Sequence, residues 1–99
     1  MDTLTSNTAN TGINVGVTID PEEWAVISDA LKLSRRESQI VYRLLQGCEE
    51  SVIATDLAIA LRTVHAHVER LYRKLGVHAR YQLLLRVFGV YLDRNRRLQ

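Results

Sequence analysis

This chain has little of what interrupts helices. One proline and five glycines in 99 residues leave few forced turns, so helix is favoured over sheet. A single cysteine, Cys48, rules out an internal disulfide and suits a reducing cytoplasm, the expected location. No apolar run approaches the ~20 residues of a membrane-spanning helix. The start of the chain lacks the basic and apolar stretches of a secretory signal. Catalytic signatures are missing too: there is no glycine-rich phosphate loop and no nucleophile elbow. Glu22-Glu23 and Glu49-Glu50 are adjacent pairs, which suit capping or solvation better than acid–base work. His65 and His67 would splay by about 200° on a helix, so they do not clamp one metal. The expectation is a non-enzymatic protein with no cofactor, no metal and no membrane contact.

What is present is an ordinary soluble composition, 46% apolar and 24% charged, with an uneven charge distribution. A chain of this length allows one domain and a modest core. Residues 1–60 hold four basic side chains against nine acidic ones, a net of −5. Residues 61–99 hold nine against two, a net of +7. Such a half is suited to a polyanion, or is simply a helix solvated by arginines.

Residues 1–19 are rich in Thr, Asn, Ser and Gly without periodicity and read as a flexible, disordered arm. A helix is expected over 20–32, with Asp20 as N-cap, Pro21 at the first position and two glutamates near the positive end of the dipole. Its apolar face is Trp24, Ile27 and Leu31, which makes Trp24 a packing residue. Ser34 followed by Glu37 predicts a capping box, with Leu33 placed as a hydrophobic staple. Ile40, Val41 and Leu44 form the next stripe, and Gly47 stops it.

From Ser51 to Leu75 there is neither glycine nor proline. Ile53, Leu57, Leu61, Val64, Val68, Leu71 and Leu75 recur at three and four, the pattern of one long helix. Ile59 objects, because it would lie about 200° from Leu57, beside Asp56. A turn near Ala58 to Leu61 brings Ile59 inward and predicts a short helix over 50–57 and a longer one over 61–75, ended by Gly76. The last helix runs from Arg80 to Arg94 or beyond. Leu83, Val87 and Val90 give one face. Leu84, Leu85, Phe88, Tyr91 and Leu92 widen the apolar arc past half the circumference, more than a small core needs. Either the N-terminal helix covers the excess or a second copy of the chain does, and the latter is expected.

Residues 33–85 resemble the LuxR-type (NarL/FixJ-type) helix-turn-helix DNA-binding domain, without a gap. The resemblance rests on Leu33-Ser34-Arg35-Arg36-Glu37-Ser38-Gln39-Ile40, Leu44-Leu45-Gln46-Gly47, Ile53-Ala54, Leu57 and Ile59. It continues through Thr63-Val64-His65-Ala66-His67-Val68 and Leu71-Tyr72-Arg73-Lys74-Leu75-Gly76-Val77 with Arg80. It implies an all-α, four-helix LuxR-type domain over 33–99, preceded here by one extra N-terminal helix and the arm. It also implies that the third helix of the domain enters the major groove of double-stranded DNA and the fourth pairs two subunits.

Several positions depart from the family pattern. Ala58 and Ala60 stand where glycine and a capping serine are common, and losing that cap costs about 1 kcal/mol. His65 stands where lysine is common, Glu69 where a basic or polar residue is, and Ala79 where an asparagine or serine cap is. Only a short arm and one helix precede the module. Control is therefore expected through expression level, dimerisation or a separate partner, not through phosphorylation or a ligand within the chain.

By helix position and by the resemblance, His65, Ala66 and Glu69 are expected to read bases. Arg62, Thr63, Arg70, Arg73 and Lys74 would meet phosphates. Glu69 has the alternative of an ion pair with Arg73 one turn on. His67 reads as structural. The dimer surface would be Leu84, Leu85, Phe88, Tyr91 and Leu92. A different class of function is a protein-interaction module that kept the fold and lost DNA reading, which His65 and Glu69 favour. A third reading is a piece like the promoter-reading region of a sigma factor. RNA polymerase or another regulator is then the further partner.

Overall fold

The computed structural model describes residues 19–97, and among them there are five helices and no strand. The expected arm lies outside the described residues except for Ile19. That residue is buried, and its carbonyl accepts a hydrogen bond from the Tyr42 hydroxyl at 3.3 Å. The last residue of the segment assigned to the arm is therefore part of the packed structure.

Helix α1 spans Pro21–Ala30. Asp20 caps it by accepting from the Glu22 N–H at 2.9 Å, and Pro21 occupies the first turn, where no N–H is missed. Ile27 is fully buried and Leu31 nearly so. Trp24 tilts against Tyr42, with ring centroids 5.4 Å apart, and its indole N–H donates to Ser38 Oγ at 2.8 Å. Trp24 is thus a packing residue with its one polar group satisfied. The helix packs against the last helix and shares its buried cluster, which makes α1 part of the core.

Helix α2, Arg35–Leu45, opens with both halves of the expected capping box. Ser34 Oγ accepts from the Glu37 N–H at 3.1 Å, and Glu37 Oε1 accepts from the Ser34 N–H at 2.8 Å. Leu33 packs on the core, but the position a staple would reach, four into the helix, is the polar Ser38. Ile40, Val41, Leu44 and Leu45 are buried. Gly47 (φ 87°) ends the helix, with the Cys48 N–H returning to the Arg43 carbonyl at 3.0 Å.

The expected break after Leu57 is present. Helix α3 covers Glu50–Leu57 and α4 covers Leu61–Leu75. Between them Ala58 takes the left-handed conformation (φ 57°, ψ 45°), and the Ile59 N–H bonds the Ala54 carbonyl at 3.0 Å. This is the hydrogen-bond pattern that glycine normally closes, here closed by alanine. It turns Ile59 against the core. Ala60 is extended and starts α4 without a side-chain cap. Val64, Val68, Leu71 and Leu75 form the buried seam of α4, which packs against α2, α3 and the last helix. Gly76 (φ 71°) ends it.

Helix α5 spans Arg80–Arg97, in keeping with the expected run from Arg80 to Arg94 or beyond. Leu83 and Val87 are buried, and Leu84, Val90 and Tyr91 pack beside them. Ala79 offers no side-chain cap. Gln82 instead reaches back one turn, and its Oε1 accepts from the His78 N–H at 2.6 Å.

Candidate nucleic-acid interface

The α3–α4 corner determines what α4 presents. With its seam held by Val64, Val68, Leu71 and Leu75, the opposite side at about 100° per residue carries Arg62, Ala66, Glu69 and Arg73. Thr63, Arg70 and Lys74 lie on the flank toward α2, and His65 lies on the flank toward α3. Seven of these eight side chains are exposed, and Ala66 is half-buried. The sequence-assigned residues therefore do share one accessible side of one helix. Helix α1 packs on α5 and places Trp24 against α2, so among the described residues it leaves this side open.

The eight are not equivalent. Arg62 and Arg73 make no ion pair among the described residues. Arg70 Nη2 lies 3.2 Å from His67 Nδ1, and His67 is half-buried on the inner flank. The Lys74 ammonium donates to Glu37 Oε1 at 2.7 Å and also to the Lys32 carbonyl. Two of its three N–H groups thus tie the end of α4 to the first turn of α2 and to the turn that precedes it.

His65 sits between two carboxylates. Its Nδ1 lies 3.1 Å from Glu50 Oε1 and its Nε2 lies 3.2 Å from Glu69 Oε2. Hydrogen bonding to Glu50, followed by the charges of Glu50 and Glu69, raises the imidazole above its ordinary range. Glu69 pairs with His65 one turn back, not with Arg73 one turn on. Sequence reasoning missed Glu50. It lies fifteen residues from His65, and only the bend at Ala58 brings the two together.

A second surface lies on α5. Of the five residues expected there, Leu84 and Tyr91 lean on the chain's own core. Leu85 (63% exposed), Phe88 (53%) and Leu92 (44%) face outward, and Phe88 stacks on Tyr91 with centroids 6.2 Å apart. Tyr81, at 62%, joins them. Residues 81, 85, 88 and 92 are spaced four, three and four, a single helical stripe. Helix α1 packs against α5 yet leaves this stripe bare among the described residues. No described helix is long and apolar enough to cross a membrane.

Residues 31–87 match the family described as bacterial regulatory proteins, luxR family. Among similar curated proteins is the "Probable HTH-type transcriptional regulator GfsR" of Streptomyces halstedii, 40% identical over 62 residues, 63% of this chain and 26% of that protein. Transcriptional regulatory protein UhpA of Escherichia coli (strain K12) is 39% identical over 56 residues, 57% of this chain and 29% of that protein. "Probable transcriptional regulatory protein NarL" of Mycobacterium tuberculosis is 46% identical over 48 residues, 48% of this chain and 22% of that protein. The matches thus span about a quarter of each relative's length. No solved structure gives a significant match.

Proposed function

We propose that this chain, which belongs to the luxR family of bacterial regulatory proteins, binds double-stranded DNA selectively as a homodimer and thereby regulates transcription. The observation that carries this reading is the free polar side of α4, held outward by the corner at Ala58. An α-helix with its side chains is about 10–12 Å across, the width of a B-DNA major groove. Ala66 and Glu69, at the outer centre of the helix, would meet base edges, as would His65 at its rim: a thymine methyl for Ala66, a cytosine amino group for Glu69. Arg62, Thr63, Arg70 and Arg73 would contact phosphates, with Lys74 contributing its remaining N–H. The similar proteins, described as transcriptional regulators, support a role in transcription.

Homodimer formation would use the stripe Leu85, Phe88 and Leu92, flanked by Leu84 and Tyr91. Two reading helices related by a twofold axis would then address half-sites about one helical turn apart, roughly 34 Å. A second reading is favoured by one observation: two carboxylates, Glu50 and Glu69, stand at the reading edge, where DNA would repel them. On that reading the module binds another protein, RNA polymerase or a second regulator.

Selection of bound duplexes from a random pool separates the two. Enrichment of a symmetric motif, altered by His65→Ala, is the expected outcome. A pool that stays random after repeated rounds favours the protein-interaction module.

A further inference from the structure

We propose that Glu50 is a positioning residue that, with Glu69, fixes the His65 ring across the α3–α4 corner and couples duplex binding to the uptake of a proton. The inference rests on the DNA-binding reading above and adds a residue and a pH dependence to it.

The argument starts from hydrogen counting. A neutral imidazole has one N–H and one lone pair, whereas an imidazolium has two N–H groups. Each ring nitrogen of His65 faces a carboxylate oxygen, at 3.1 Å on the Glu50 side and 3.2 Å on the Glu69 side. The Nδ1 contact is a hydrogen bond and the Nε2 contact a close approach of opposite charges, and both are attractive only when the ring carries two protons. Losing one sets a lone pair against a carboxylate, so one of the two contacts must open. The bracketed ring is the charged ring.

The surroundings agree. Helix α3 contributes Glu50, and α4 contributes Glu69 and Tyr72. Helix α5 contributes Arg80, whose charge lies near Tyr72 and whose guanidinium donates to the Cys48 carbonyl at 2.7 Å. Helix α2 meets α4 on the other flank, through Glu37 and Lys74, away from His65. The Arg80 guanidinium is thus engaged with the Cys48 carbonyl, and among the described residues His65 is the ion-pair partner of both carboxylates.

The consequence for DNA follows from charge. Protonated, the triad Glu50–His65–Glu69 carries a net −1, and deprotonated it carries −2 on the edge turned toward phosphates. The duplex favours the less negative form, so binding takes up a proton and weakens as pH rises. Deprotonation also frees the ring, which then no longer holds one orientation against the bases.

Two measurements test this on the full chain. The first is an NMR titration of the His65 ring without DNA in wild type, Glu50→Gln and Glu69→Gln. The second is binding to a random-sequence duplex from pH 5.5 to 8.5 at fixed salt. The titration midpoint of His65 should drop in both variants. Wild-type affinity should fall a few-fold per pH unit above neutrality, bounded by tenfold per proton per subunit. Glu50→Gln should shift that fall to lower pH, and His65→Ala should abolish the triad's share. His67 and His78 are common to every variant, so the difference between profiles isolates His65. An unshifted midpoint, or profiles identical in wild type and Glu50→Gln, overturns the proposal alone. No duplex binding at any pH overturns the DNA reading and the proposal with it.

Discussion

The Lys74 ammonium lies 2.7 Å from Glu37 Oε1, joining the last turn of α4 to the capping box of α2. One glutamate therefore closes a helix end and anchors a second helix. Burial raises the Glu37 carboxyl, but the Lys74 hydrogen bond, the Ser34 hydrogen bonds and the Lys74 charge outweigh it and hold the group below its ordinary range.

A folded value below the unfolded one stabilises the protein above the usual glutamate range. That contribution disappears as pH falls through the lowered value. Urea unfolding followed by the single tryptophan, Trp24, should show Lys74→Met less stable by about 0.5–1 kcal/mol at pH 7, the magnitude of a partly exposed pair. The gap should narrow by pH 3 to what the Lys32 carbonyl hydrogen bond and the lysine stem contribute. A gap of unchanged size in acid would take the effect away from the ion pair.

The corner between α3 and α4 offers a gain of stability. Ala58 sits at φ 57° and Ala60 starts α4 with no side-chain cap. A left-handed alanine costs about 1–2 kcal/mol, part of which glycine returns through its freer unfolded chain. Ala58→Gly should therefore stabilise by about 0.5–1 kcal/mol, and Ala60→Ser by about 1 kcal/mol. Thermal melts should rise by roughly 4–8 °C per kcal/mol for a chain of this size. A lower melting temperature for Ala58→Gly would mean that the alanine methyl is needed where it is.

Helix α1 shares the core, so its contribution is measurable. Ile27 is fully buried in the same cluster as Leu83 and Val87. Ile27→Ala should cost about 2–4 kcal/mol, as a buried large-to-small change does. A chain truncated before Leu33 should melt well below the full chain. Equal melting temperatures would make α1 an ornament on an independent domain.

The α5 stripe predicts an association that can be abolished without unfolding. Phe88→Arg and Leu85→Arg alter side chains that are more than half exposed, so far-UV circular dichroism should not change. Sedimentation should show a dimer for wild type at micromolar concentration and a monomer for both variants. A monomeric wild type would remove the dimer from the proposed function.

Much of this architecture was legible in the residues because it is written locally. Asp20-Pro21, Ser34 with Glu37, Gly47 and Gly76 each act within a turn of where they stand. The break after Leu57 was harder. Neither alanine there announces a turn, and only the misplaced Ile59 conflicted with a single helix. Long-range polar contacts were not legible. Glu50 with His65, and Glu37 with Lys74, depend on how helices cross, which spacing along one helix does not encode. Tyr81 was readable, since it precedes Leu85 by four, but a stripe drawn from Leu84 onward missed it.

The central claim is that the outer side of α4 rests on a duplex. Fluorescence anisotropy with a labelled random-sequence duplex, over 50–200 mM salt, tests it most directly. For the wild type we expect a log–log salt slope of roughly −4 to −8, and for Arg62→Ala and Arg73→Ala a slope shallower by about one phosphate per subunit. No binding at 50 mM salt, or a slope untouched by either substitution, would contradict it.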